Sequence, residues 1–198
     1  MFCKTQGNII TFNIFNTTLA NRENQNIVYG NTQYPYCWIS DEFPNRIDWD
    51  LDKILMVTID IEVECENGFP SARLAEEPML SITVKNHQSK RIAVWGLNKF
   101  NNCRDDVTYT QCADEKDLLQ EFLHFWEKHQ PDVITGWNSK FFDIPYLVNR
   151  IIRVFGPDIG EQNIKRLSPW GDVQERTVRI AYKSMNKDQT YELQGISH

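Results

Sequence analysis

The chain has 198 residues, 41% of them hydrophobic and 12% aromatic, which supplies an ordinary globular core and excludes a chain disordered throughout. Its formal net charge of −6 is opposite in sign to the basic footprint of proteins that coat duplex nucleic acid by neutralising phosphates. No apolar run approaches the roughly 18 residues of a membrane span, and the first residues lack the charged start and apolar centre of a signal peptide, so a cytosolic protein without membrane contact is expected.

Residues 1–53 are rich in Asn, Gln and Thr and show only short apolar alternations such as Ile10, Phe12 and Ile14, the texture of short strands and loops. The five cysteines, at 3, 37, 65, 103 and 112, are odd in number and never spaced C-x-x-C, which points to reduced structural thiols. From Ile54 the run Ile-Leu-Met-Val-Thr-Ile-Asp-Ile-Glu-Val reads as a strand buried on both faces at the centre of a sheet. Further strands are predicted at Leu80 to Lys85 and Arg91 to Gly96, joined by a polar hairpin turn, with a shorter one from Val107 to Cys112. Asp114 offers an N-cap to a helix whose Leu118, Leu119, Phe122, Leu123, Phe125 and Trp126 form one apolar face. His124 and His129 on that helix are five apart, the wrong spacing for a zinc pair, and read as surface histidines. A short buried strand, Asp132 to Gly136, precedes a loop and a second helix with Pro145 near its start and Gly156-Pro157 as its stop. Alternation resumes at Val178, Ile180 and Tyr182, and Asn186-Lys187-Asp188 then suggests a polar-tipped hairpin ending near Leu193. Strands first and then helix, strand, helix make an α/β pattern with a mixed sheet, in which the strand at Asp132 lies parallel to the one at Ile54 through a right-handed crossover.

Two constellations bear chemistry. A period of two places Asp60 and Glu62 on one face of their strand while Ile59, Ile61 and Val63 point to the other. Ionised carboxylates in a sheet centre carry a heavy desolvation cost unless a cation neutralises them, and hard divalent ions suit carboxylate oxygens; a simply solvent-exposed face is the alternative. Asp143 follows the Asn138-Ser-Lys-Phe-Phe142 loop and opens a helix near a strand end, where open α/β sheets place their sites; an ordinary N-cap is its bland reading. Charge is also uneven along the chain: residues 41–66 carry net −7 and residues 144–183 net +3, which suits acids that hold metal beside a basic surface that holds a phosphodiester, or plain solvated charge.

Asp60-Ile-Glu62 and Asn138-x-x-x-Phe142-Asp143 resemble the first and second exonuclease blocks of family-B DNA polymerases. The text around them, including Glu66-Asn-Gly-Phe-Pro70, Thr135-Gly-Trp-Asn-Ser139, Phe142-Asp-Ile-Pro-Tyr146 and Lys165-Arg-Leu-Ser-Pro169, is similar to the T-even-type phage members from about Asp48 onward. The resemblance implies a ribonuclease-H-like 3′-to-5′ proofreading exonuclease fold and two Mg²⁺ or Mn²⁺ ions about 3.5–4 Å apart. Asp60, Glu62 and Asp143 would then hold those ions and carry catalysis. By the same resemblance Phe69 wedges or stacks against the terminal bases of a frayed primer, Asn138 contacts the single strand or supports the site, Phe142 contacts the single strand, and the hairpin from about Val173 to Leu193 helps part primer from template. The implied partners are single-stranded DNA or a primer-template 3′ end and the remaining polymerase polypeptide, in the cytoplasm of a host cell.

The family's third block, with a Tyr and a last metal-ligand Asp, has no counterpart in the chain. With only 59 residues before Asp60, residues 1–53 are expected to be part of an N-terminal domain, and residues 54–198 an exonuclease domain lacking its final strand and helices, with weak metal binding and little nuclease activity. Two further readings stay open: a non-catalytic single-strand-binding or docking module completed by a second chain, and a stand-alone ribonuclease-H-like nuclease of RNA or hybrids.

Overall fold

The computed structural model describes residues 2–5, 8–11, 34–48, 50–65, 68–179 and 187–198. The chain divides into two units, Met1–Asp50 and Leu51–His198. In the first, β1 (Phe2–Thr5) and β2 (Asn8–Thr11) pair antiparallel with Phe2 opposite Thr11, and a helix, α1 (Tyr34–Glu42), follows. The alternation at Phe12 and Ile14 lies outside the described residues. Helix α1 departs from the expectation of strands and loops: Pro35 resembles a breaker, yet in a helix's first turn its missing N–H has no partner to lose. Trp38 meets Phe43 edge-to-face at 6.1 Å.

The second unit is built on a five-stranded sheet in the order β6-β5-β4-β3-β7. Strands β3 (Met56–Val63), β4 (Met79–Asn86) and β5 (Ile92–Gly96) form the expected antiparallel meander, β6 (Val107–Gln111) runs parallel to β5, and β7 (Val133–Thr135) runs parallel to β3. The α/β class with a mixed sheet and flanking helices is the one the alternation of periods implied. Beyond β7, Ser197 makes a parallel bridge to Val133, and Ile134 donates its amide to Ser197 O at 2.8 Å.

Helix α2 (Glu115–Lys128) starts where capping chemistry puts it. The Asp114 side chain accepts from Asp117 N at 2.8 Å, and Asp117 Oδ2 accepts from Ala113 N at 2.8 Å, so one orphan amide of the first turn and the amide just before the cap are both satisfied. Its Leu118, Leu119, Phe122 and Leu123 are fully buried against Ile59, Ile82, Val84 and Trp95 of the sheet, with Trp95 edge-on to Phe122 at 5.6 Å. Helix α3 (Asp143–Phe155) adds Ile144, Leu147 and Ile151 to the same core. Each such aliphatic or aromatic side chain contributes roughly 1.5–3 kcal/mol by leaving water.

Three expectations are corrected. First, β3 is not buried on both faces: Val57, Ile59 and Ile61 are buried while Asp60 and Glu62 are exposed, because the helices cover only the first set and, among the described residues, nothing covers the carboxylates. Second, Gly156-Pro157 ends α3 but at once begins another helix, α4 (Pro157–Lys165), with Pro at its first position. Gly160 lets α4 press on α3, since a Cβ there would lie 2.5 Å from Ile152 Cα. Third, Lys187 and Asp188 do not form a hairpin tip. They belong to β9 (Lys187–Leu193), which pairs antiparallel with β8 (Val173–Arg179), Val178 opposite Asp188; Ile180, Tyr182 and Asn186 lie outside the described residues.

Candidate active site

Strand β3 is longer than the partner on its outer side. It pairs with β7 only from Met56 to Thr58, where β7 ends at Thr135, so beyond that point its outer backbone edge has lost its ladder. The chain leaving β7 then covers that edge. Gly136 lies so close to it that a Cβ would stand 2.7 Å from Ile59 O. Asn138 takes a left-handed conformation (φ 61°) and accepts at its carbonyl from Phe141 N at 3.0 Å and Phe142 N at 2.9 Å, a conformation that Asn tolerates better than most residues. The tight turn brings α3 in with Asp143 as its first residue.

Asp143 does not cap its own helix: the cap position is Phe142, without a side-chain hydrogen bond. The carboxylate turns instead to β3, where Oδ1 accepts from Ile61 N at 3.1 Å and replaces the lost strand partner. Ile61 sits between Asp60 and Glu62, so residues 82 apart in sequence come together on the open edge. Asp143 is 3% exposed. Its carboxyl is pushed up to about 6, chiefly by burial, against the Ile61 amide that favours the anion, and further by the negative charges of Asp60 and Glu62. Asp60 and Glu62 themselves face solvent, with Thr83 and Ser81 of β4 opposite them.

The three acids offer hard oxygen donors, the kind that suit a hard divalent cation. The Ile61 amide holds Asp143 Oδ1. Among the described residues no three His, Cys, Asp or Glu side chains are gathered closely enough to hold a metal ion as they stand.

An aromatic chain runs beside the acids. Phe69, 82% exposed, follows Gly68, whose φ of 99° suits glycine. Its ring lies 5.0 Å from Phe142, which lies 5.5 Å from Tyr146. Trp137, next to Gly136, is 94% exposed, and Asn138 is exposed beside it. The structure therefore brings Asp143 up to the Asp60–Glu62 stretch of β3, through the Ile61 amide, without closing the three acids into a ready ligand set, and brings Phe69 to Phe142. His124 on α2 and His129 at its C-cap are exposed, bonded to Lys128 and to Phe125 O.

Sequence reasoning passed over the residues that fasten this region. Arg150, only 7% exposed, makes a two-pronged pair with Glu115, each contact 2.6 Å, and Glu115 Oε1 also accepts Met79 N at 2.7 Å. The legible signal was an arginine on the face of α3 that otherwise carries Tyr146, Leu147 and Ile151.

Comparison with known proteins gives a consistent relationship. The family model "DNA polymerase family B, exonuclease domain" matches residues 5–198. The chain is 31% identical over 180 residues to the DNA-directed DNA polymerase of Escherichia phage RB69, an alignment covering 78% of this chain and 20% of that protein. It is 28% identical over 193 residues to that of Enterobacteria phage T4, covering 85% and 21%. It is 30% identical over 121 residues to the DNA polymerase catalytic subunit of Equine herpesvirus 2, covering 59% and 12%. The chain spans about a fifth of the length of the phage relatives it matches.

Proposed function

Since the chain belongs to the exonuclease-domain family of the family B DNA polymerases, we propose that it is the proofreading 3′-to-5′ exonuclease portion of a phage-type polymerase, hydrolysing the terminal phosphodiester of single-stranded primer ends. The observation that carries this reading is the hydrogen bond from Ile61 N to Asp143, which sets a third carboxylate beside Asp60 and Glu62 where the sheet edge is open. On this reading residues 1–53 are assigned to the N-terminal domain of the polymerase and residues 54–198 to the exonuclease domain, with the rest of the polymerase as partner and the host cytoplasm as the place of action.

Asp60, Glu62 and Asp143 would hold Mg²⁺ or Mn²⁺, which when bound activates water and stabilises the departing 3′ oxygen. The side chains prepare that chemistry. Asp60 and Glu62, exposed on β3, stand where an incoming phosphodiester reaches them. Asp143 is oriented by the Ile61 amide, so its carboxylate is held rather than searching rotamers. Phe69 offers an exposed face to the last bases, with Phe142 as backing, and base stacking of this kind contributes roughly 1–3 kcal/mol per base. Asn138 holds the turn that delivers Asp143 and presents its side chain to the strand.

The test is 3′-end shortening of a labelled single-stranded oligodeoxynucleotide with Mn²⁺ at enzyme excess, beside Mn²⁺ titration. Shortening and a Mn²⁺ affinity that both fall in Asp60→Ala and Asp143→Asn are expected. No shortening, together with equal Mn²⁺ affinity in the parent and Asp60→Ala, overturns the reading.

A further inference from the structure

Helix α3 does more than deliver Asp143. One of its faces points at the segment that leads from Phe69 to β4, whose carbonyls have no strand to bond with and need donors. Asn149 Nδ2 donates to Ala72 O at 2.9 Å, Arg150 Nη1 to Ala75 O at 2.9 Å and to Glu76 O at 2.7 Å, and Tyr146 Oη to Glu77 O at 2.7 Å. Positions 146, 149 and 150 are i, i+3 and i+4, so a single helical face supplies the whole row. The backbone after Phe69 is thus laced to the helix that carries Asp143.

A second element is tied to the same face. Tyr191 of β9 is 7% exposed, and its hydroxyl donates to Asn149 Oδ1 at 2.7 Å while accepting from Gln189 Nε2 at 2.9 Å. Thr190, 1% exposed, adds a bond from its Oγ1 to Lys140 O at 3.0 Å, inside the turn that precedes Asp143. Asn149 therefore acts in two directions with one amide: its oxygen takes the hairpin's proton and its nitrogen gives one to the Phe69 segment. Neither end can swap roles, because the Ala72 carbonyl only accepts.

We propose that Asn149 and Tyr191 are positioning residues that couple the β8–β9 hairpin to the Phe69 loop, so that the seating of a single-stranded 3′ end against Phe69 depends on the hairpin's attachment to α3. The proposal rests on the exonuclease reading above for its functional half. Its structural half, the coupling itself, stands on the hydrogen bonds alone.

Two measurements separate the halves. Amide hydrogen exchange without DNA reads the coupling. Tyr191→Phe, which removes one hydroxyl, and Asn149→Ala should each speed exchange across residues 68–78 by about fivefold, as expected for one net hydrogen bond, with residues 118–126 of α2 unchanged. Asn149→Asp keeps the acceptor for Tyr191 but sets an anion against the Ala72 carbonyl; it should loosen 68–78 while leaving 189–193 protected. The second measurement uses a single-stranded oligodeoxynucleotide with 2-aminopurine at its 3′ end, in Ca²⁺. Quenching of the base should fall in Asn149→Ala toward the level of Phe69→Ala, while Mn²⁺ affinity stays at the parent value. Exchange at 68–78 unchanged in both Tyr191→Phe and Asn149→Ala, or raised equally in α2, overturns the coupling. A parent protein whose quenching equals that of Phe69→Ala overturns the functional half by removing Phe69 from base contact, whatever the exchange shows.

Discussion

Asp143 sets burial against charge, and the balance decides how the protein answers to pH. Its carboxyl lies near 6 when folded and near 3.8 in an exposed chain. Between those values the folded state binds the proton that the unfolded state has released, so stability falls as pH rises through roughly 4 to 6 and stays level above. In metal-free protein, Asp143→Asn should therefore be more stable than the parent at pH 8, by about 3 kcal/mol for a shift of about two units, and about equal to it at pH 4, as read by urea unfolding. A gain that persisted undiminished at pH 4 would contradict this. Asn keeps an acceptor for the Ile61 amide, so the comparison isolates the charge. Of the site's acids, Asp60 and Glu62 were legible because a strand's period fixes their shared face without reference to anything else. Asp143 was legible as an acid at a helix start but not as the partner of Ile61, because that partner is chosen by the sheet edge and not by neighbouring sequence.

At the level of elements, the 136–142 connection depends on how closely two backbones approach. Gly136→Ala would put a methyl 2.7 Å from Ile59 O and 3.0 Å from Ser139 Cβ, and neither the strand nor the tight turn can yield cheaply. A loss of about 1–3 kcal/mol is expected, with Mn²⁺ binding weakened more than in a surface control of equal stability, because the turn that places Asp143 shifts. Thermal unfolding and Mn²⁺ titration check it; a stable variant with parental affinity would show that the edge has room. Strands β3 to β7 and helix α2 were readable because alternation, caps and helical spacing are local. Helices α1 and α4 escaped because each has a proline in its first turn, and a proline looks the same in sequence whether it ends one helix or begins another. The lacing of α3 to the Phe69 segment escaped because it consists of side chains bonding to carbonyls, and carbonyls leave no mark in a sequence.

Across the whole second unit, β3 carries the acids on one side and the core on the other, and its outer edge is finished by a residue 82 positions later. The mixed topology was legible from the order of periods, whereas the one-sided covering of β3 was not, since a nearly continuous apolar run looks alike whether one face or both are packed. The long separation has a consequence for synthesis. At roughly 5–20 residues per second, Asp143 leaves the ribosome about 4–16 s after Ile61, and for that interval Val57, Ile59 and Ile61 form a β-branched strand with an unguarded edge, the kind that seeds aggregation. Asp60 and Glu62 interrupt the run at alternate positions and so act as gatekeepers of the nascent chain. Replacing both with Ala should raise the insoluble fraction on expression even if the purified protein is no less stable than the parent, whereas Asp143→Asn should not. The two carboxylates would then protect the polypeptide while it is being made, before there is any site for them to serve.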